Sequence, residues 1–145
     1  MDKKNIITGS DHAGFVLKER LKPYIESLGF KVKDIGVYSE ESADYPAIAK
    51  AAAKEAVLEN CYALLICGTG IGMSIAANKI KGARAALCGD VLSAEFSRKH
   101  NDANILCLGA RIITPEKAEE ICRIWLGTEF EGGRHKRRID MIESE

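Results

Sequence analysis

Short apolar runs alternate with longer amphipathic stretches along the whole chain. Asn5–Ser10 (NIITGS) reads as a strand, and Phe15–Leu28 carries Leu17, Leu21, Tyr24, Ile25 and Leu28 at helical spacing. Pro23 falls inside that pattern and predicts a kink or an early end. Phe30–Ile35 reads as a second strand, closed by Gly36. Asp44 ahead of Tyr45 and Pro46 marks the start of an alanine-rich helix to about Glu59, with Asn60 at its end. Tyr62–Cys67 (YALLIC) is apolar throughout, as a short strand covered on both faces would be.

The same alternation continues beyond it. Gly72–Ile80 reads as a helix and Arg84–Cys88 as a strand, and Asp90 or Ser93 is placed to cap a helix through His100. Asn104–Leu108 reads as a fifth strand, and Pro115 suits the first turn of a helix to about Leu126. The charged tail from Arg134 is helix-compatible, with Ile139 and Ile142 on one side. Strands and helices in strict alternation predict an α/β fold: an open, five-stranded parallel sheet with helices on both faces. No repeat, linker or low-complexity tract interrupts it, so residues 1–145 read as one domain.

Composition narrows the function classes. Hydrophobic residues make up 46% and charged residues 29%, and 21 basic residues balance 21 acidic ones. A zero net charge gives no electrostatic case for nucleic acid or an anionic membrane. No apolar run approaches the roughly 20 residues that span a bilayer, and the N-terminus lacks the apolar core of a signal peptide. A cytoplasmic protein is expected. The cysteines Cys61, Cys67, Cys88, Cys107 and Cys122 are odd in number and form no C-x-x-C pair. Neither a disulfide frame nor a zinc knuckle is supported. Four of them, Cys88 included, are explained as small buried apolar groups.

Cys67 is the exception, because Gly68, Gly70 and Gly72 follow it on alternate positions. Ligands of open parallel sheets bind outside the carboxyl ends of the strands. Those ends here gather Asp11-His12, Cys67 to Gly72, Gly89-Asp90 and Gly109-Ala110-Arg111. A glycine-rich turn feeding a helix start lets backbone N–H groups face an anion, and the same field favours a thiolate. The anion is either a phosphate or an oxyanion that develops during reaction; the alternative is a purely structural tight turn. The motif is not a dinucleotide fingerprint, because Met73 stands where the third glycine of G-x-G-x-x-G belongs. Asp90 lies at the spacing of a ribose ligand but reads more simply as a helix cap. Asp11 is placed to orient the His12 ring. His100 suits a C-terminal helix cap, and Arg134 and Arg138, four apart, share a helix face that can grip a phosphate or be merely solvated. The histidines show no i, i+4 pair, so no metal site is expected.

Taken together, GSDHAGF, ADYP, ICGTGIGMSIAANK, SRKHNDANIL, LGAR and EGGRHKRRI resemble the type B ribose-5-phosphate isomerases. That family is shared with galactose-6-phosphate isomerase subunits and allose-6-phosphate isomerases. The resemblance spans nearly the whole chain. It implies a Rossmann-like three-layer sandwich and a homodimer or dimer of dimers with active sites shared between subunits, the C-terminal helix (about 134–145) reaching the partner. It also implies interconversion of ribose 5-phosphate and ribulose 5-phosphate, with no metal or other cofactor. By the same resemblance, Cys67 is the base at C2 of the open-chain sugar, His100 helps open the furanose ring and Thr69 assists proton movement. The turn Gly68, Gly70, Ile71, Gly72 and Ser74 cradles the enediolate through its N–H groups. Asp11, Tyr45 and Asn101 line the sugar site; His12, Arg134 and Arg138 hold the phosphate, with Arg111 beside them. A hexose 6-phosphate isomerase is the alternative within the family, and a non-catalytic sugar-phosphate or nucleotide sensor the alternative outside it. A base moving a proton near neutral pH and donors for a transient oxyanion are what such chemistry needs.

Overall fold

A computed structural model describes residues 3–144. The elements run β1 (Asn5–Ser10), α1 (Phe15–Ser27), β2 (Lys31–Asp34), α2 (Tyr45–Glu59), β3 (Tyr62–Cys67), α3 (Ile71–Ala77), β4 (Ala85–Leu87), α4 (Val91–Lys99), β5 (Ile105–Gly109), α5 (Pro115–Gly127) and α6 (Arg134–Glu143). The strands form one sheet in the order β2-β1-β3-β5-β4, and every pairing is parallel. This is the expected α/β sandwich. β3 lies at the centre, which is why all six of its residues are buried.

Strand alternation splits the core into two layers. Ile6, Leu64, Ile66, Leu106 and Leu108 face Leu17, Leu21 and Ile25 of α1 and Ala118, Ile121, Cys122 and Trp125 of α5. Ile7, Ala63, Leu65, Cys67, Ile105 and Cys107 face Ala49, Ala52, Ala53 and Ala56 of α2 and Met73, Ala76 and Ala77 of α3. Alanines on α2 let that helix lie close to the sheet. Cys88 packs in the first layer, as expected of a structural thiol.

Two expectations need correcting. α1 continues through Pro23 to Ser27. Pro23 and Glu19, whose carbonyl loses its partner, are both exposed, so the orphaned group is open to water while Leu17, Leu21 and Ile25 anchor the buried face. α3 ends at Ala77 rather than Ile80. Asn78 bonds the Ala85 backbone from both ends of its amide, Nδ2 to the carbonyl (3.0 Å) and Oδ1 from the N–H (2.8 Å), and this steers the chain into β4. No helix among the described residues is long and apolar enough to cross a membrane.

Candidate active site

The sheet order reverses between β1 and β3, so the loops after these neighbouring strands open a crevice. A cavity of about 660 Å³ lies there, lined by Asp11, His12, Tyr45, Gly68 and Arg111 among others. β1 runs into Asp11, which is buried; its Oδ1 accepts the Gly14 N–H (3.1 Å) and fixes the turn into α1. Asp11 therefore does not orient His12 as expected. The His12 Nδ1 instead accepts the Ala43 N–H (3.2 Å), which places the ring proton of the neutral form on Nε2.

The glycine turn is built for close approach. Gly70 has φ +79°, a left-handed conformation that glycine adopts without strain. Its N–H donates to Cys67 Sγ (3.1 Å), a contact that negative charge on sulfur strengthens. A Cβ on Gly72 would stand 2.5 Å from the Tyr45 ring, and one on Gly68 would stand 3.0 Å from Arg111 Nη1. Bare backbone thus lets a phenol and a guanidinium close over the loop. Thr69 Oγ1 accepts the Ile71 N–H (3.2 Å), and Ser74 Oγ donates to the Ile71 carbonyl (2.8 Å). The first-turn amides of α3 have no acceptor within the helix. Cys67 itself is 5% exposed, behind the cavity wall rather than on it.

A second group of expected residues lies elsewhere. α4 starts at the carboxyl edge of the sheet and runs back, so His100 and Asn101 finish at the edge where β5 begins. Nine residues of helix cover about 14 Å, and six residues of strand about 20 Å. Within one chain His100 and Cys67 are separated by the height of the sheet. The His100 ring stacks on His135 (centroids 4.2 Å apart, planes 14° apart) and packs against Phe96 at 4.7 Å. The Glu131 carboxylate faces both rings, 3.7 Å from His100 Nε2 and 3.5 Å from His135 Nε2. Burial, then the neighbouring His100 and Arg134, push the His135 imidazole below its usual range. Arg134 and Arg138 are exposed on α6 and carry no ion pair with another described residue.

The structure thus gathers Asp11, His12, Tyr45, Cys67, the glycine turn and Arg111 at one edge. It gathers His100, Asn101 and the α6 residues away from it. The ligand atoms of His100, Glu131 and His135 fall within 4.8 Å of one another, the spacing of a metal site. Near-parallel rings nevertheless aim their nitrogen lone pairs side by side instead of converging on one ion.

The Ribose/Galactose Isomerase family matches residues 6–142. This chain belongs to that family. It is 45% identical over 140 residues to ribose-5-phosphate isomerase B of Escherichia coli (strain K12), covering 96% of this chain and 94% of that one. Among solved structures it resembles the ribose-5-phosphate isomerase B of Clostridium thermocellum, with a TM-score of 0.94, 44% identity and coverage of 96% and 95%. It also resembles that of Mycoplasma genitalium with bound ribulose-5-phosphate, with a TM-score of 0.93, 39% identity and coverage of 99% and 96%.

For a member of this isomerase family, sequence reading missed the place of Glu131 and His135 beside His100. The signal was present: the two stand four apart across Gly132 and Gly133. His135 gives no signal of its own, because its partner histidine lies 35 residues earlier and meets it only through the packing of α6 on the end of α4.

Proposed function

We propose that this chain interconverts ribose 5-phosphate and ribulose 5-phosphate by a metal-free enediolate route, with Cys67 as the base. Cys67 takes the proton from C2 of the open-chain aldose, and the C2–H electrons form the C1–C2 double bond as charge collects on O1. Backbone N–H groups of the Gly68–Ser74 turn hold that oxyanion, Thr69 shuttles the hydroxyl proton, and return of the proton to C1 gives the ketose. His12 and Arg111 sit where they can take up part of the substrate's charge. The observation that carries this reading is the sulfur beneath the loop, accepting an N–H from Gly70 at 3.1 Å.

The working enzyme is a homodimer, or a dimer of dimers, in the cytoplasm, and its active site is completed by a second copy. Two features support the pairing. Ile71 and Ile75 on α3, Leu87 on the edge strand β4, and Leu92 and Phe96 on α4 are exposed around one rim of the sheet. That rim adjoins the glycine turn, since Leu87 Cδ1 lies 2.6 Å from where a Gly70 Cβ would stand. A second copy seated there can bring its His100 to the furanose ring, its Asn101 to the sugar and its Arg134 and Arg138 to the phosphate. α6 then reaches across the boundary between subunits.

The test is turnover of ribose 5-phosphate by purified protein with a chelator present, with allose 6-phosphate and galactose 6-phosphate in parallel. Chelator-insensitive formation of ribulose 5-phosphate, lost about 100-fold or more in Cys67→Ala, is expected. Near-normal turnover by a folded Cys67→Ala protein would remove the cysteine from the mechanism. Cys67→Ala and Arg138→Ala proteins, mixed under conditions of subunit exchange, are expected to regain activity; demonstrated exchange without recovery would refute the shared site.

A further inference from the structure

The segment between α5 and α6 brings a carboxylate to His100. The Glu131 N–H donates to the Lys99 carbonyl (3.1 Å), which ties this segment to the end of α4. Gly132 (φ +73°) and Gly133 (φ +59°) then turn the chain directly into α6. His135, one turn on, lies flat on the outer face of the His100 ring, while Phe96 packs against the ring from α4 itself. The His135 side chain is only 11% exposed. Ring contacts of this kind limit tilt, but they leave open which nitrogen faces the sugar.

Glu131 settles that choice. Its carboxylate faces His100 Nε2, and His100 Nδ1 makes no hydrogen bond with any described residue. We infer that Glu131 is a positioning residue for ring opening: it takes the Nε2–H of His100 and leaves Nδ1 as the lone pair presented to the furanose. This rests on the reading that His100 opens the ring. At 3.7 Å the contact is longer than a hydrogen bond, and rotation of the half-exposed Glu131 side chain is enough to close it. His135 Nε2 lies 3.5 Å from the same carboxylate, and the burial that lowers its basicity keeps it from competing there as an imidazolium.

The step balances without a co-reactant. Nδ1 takes the proton of the anomeric hydroxyl, and the O1–H electrons become the C1=O1 bond. The C1–O4 bond breaks with its electron pair on O4, and Nδ1 returns the proton there. Base and acid are one atom, which is why its orientation matters.

The test compares two substrates for Glu131→Gln: ribose 5-phosphate and its 4-deoxy analogue, which lacks the hydroxyl that closes the furanose. Relative to the unchanged protein, Glu131→Gln is expected to lose about 10- to 100-fold in kcat on ribose 5-phosphate, a share of the ~10²–10⁴ that a positioned acid–base group supplies. On the 4-deoxy analogue it is expected to match the unchanged protein within about twofold. His100→Asn is expected to show the same selective loss. Equal losses on both sugars, or none on either, would overturn the positioning role. An unchanged protein that converts neither sugar would instead remove the isomerase reading, and this inference with it.

Discussion

Replacing Gly70 with alanine tests the glycine turn where it is most constrained. The residue sits at φ +79°, and an added Cβ would stand 2.8 Å from the Leu108 carbonyl carbon, 3.0 Å from its oxygen and 2.6 Å from Leu87 Cδ1. Leu87 can swing aside. Leu108 cannot, because it lies within β5 in register with Ile66 of the central strand. A left-handed conformation costs an L-residue about 1–2 kcal/mol, and overpacking against fixed atoms about 1–3 kcal/mol. Those sum to about 2–5 kcal/mol, or a fall in Tm of roughly 5–15 °C for a chain of this size. Relief by moving the turn shifts the Gly70 N–H away from Cys67 Sγ, so kcat is expected to drop about 10- to 100-fold. Gly68→Ala is the control. Its Cβ meets only the mobile end of Arg111, at 3.0 Å, so its stability should stay within about 0.5 kcal/mol. Thermal unfolding at one fixed protein concentration and initial rates measure both. A Gly70→Ala protein with unchanged Tm and kcat, or a Gly68→Ala protein equally damaged, would refute the reasoning.

Three further outcomes are expected. Ile75→Asp, at a position 57% exposed and outside the cavity, should leave the circular dichroism unchanged while sedimentation shows monomers and activity falls; an active dimer would show that the apolar rim is not the interface. For Asp34, burial alone would raise the carboxyl, but hydrogen bonds from the buried Lys18, from Lys22 and from the Gly36 N–H outweigh it and hold the carboxyl below its usual range. Its stabilisation is complete above the ordinary carboxylate range and is lost as pH falls through the lower folded value; Asp34→Asn should cost about 3 kcal/mol at neutral pH by leaving the buried Lys18 with only Glu19, 3.7 Å away, as counter-charge, and should flatten the acid limb of the stability curve, both read by denaturant titration. Burial pushes the Cys61, Cys88 and Cys107 thiols up and that of Cys122 to about 12, while Cys67 Sγ lies under the glycine turn and accepts the Gly70 N–H; iodoacetamide should modify Cys67 first in the folded protein, with protection by substrate, as peptide mass mapping will show.

Much of the fold was legible because each element carries its own period. The apolar run of β3 and the spacing of Leu17, Leu21 and Ile25 reflect local geometry that any chain of that pattern must satisfy. The Asp90 cap is equally local: its Oδ1 accepts the Ser93 N–H at 2.7 Å. The departures came where a segment's surroundings overrode its local signal. The end of α3 is set by Asn78 bonding to Ala85, and Pro23 is tolerated because its side of α1 faces water.

For the site, the sequence by itself determined which residue types stand at the strand ends and on the last helix: a thiol ahead of bare glycines and a histidine after an aspartate at the former, two arginines four apart on the latter. It also determined that β3 must be buried and that the turn after it must be nearly free of side chains. Only the tertiary structure decided which of these groups meet. It placed Cys67 and His100 at opposite edges of one sheet, because a helix that follows a parallel strand must run back along it. It turned His12 onto Ala43 rather than Asp11, and it stacked His135 on His100 across 35 residues of chain. Periodicity records how each segment meets the core, whereas contacts between segments depend on sheet order and crossover geometry, which no single segment encodes.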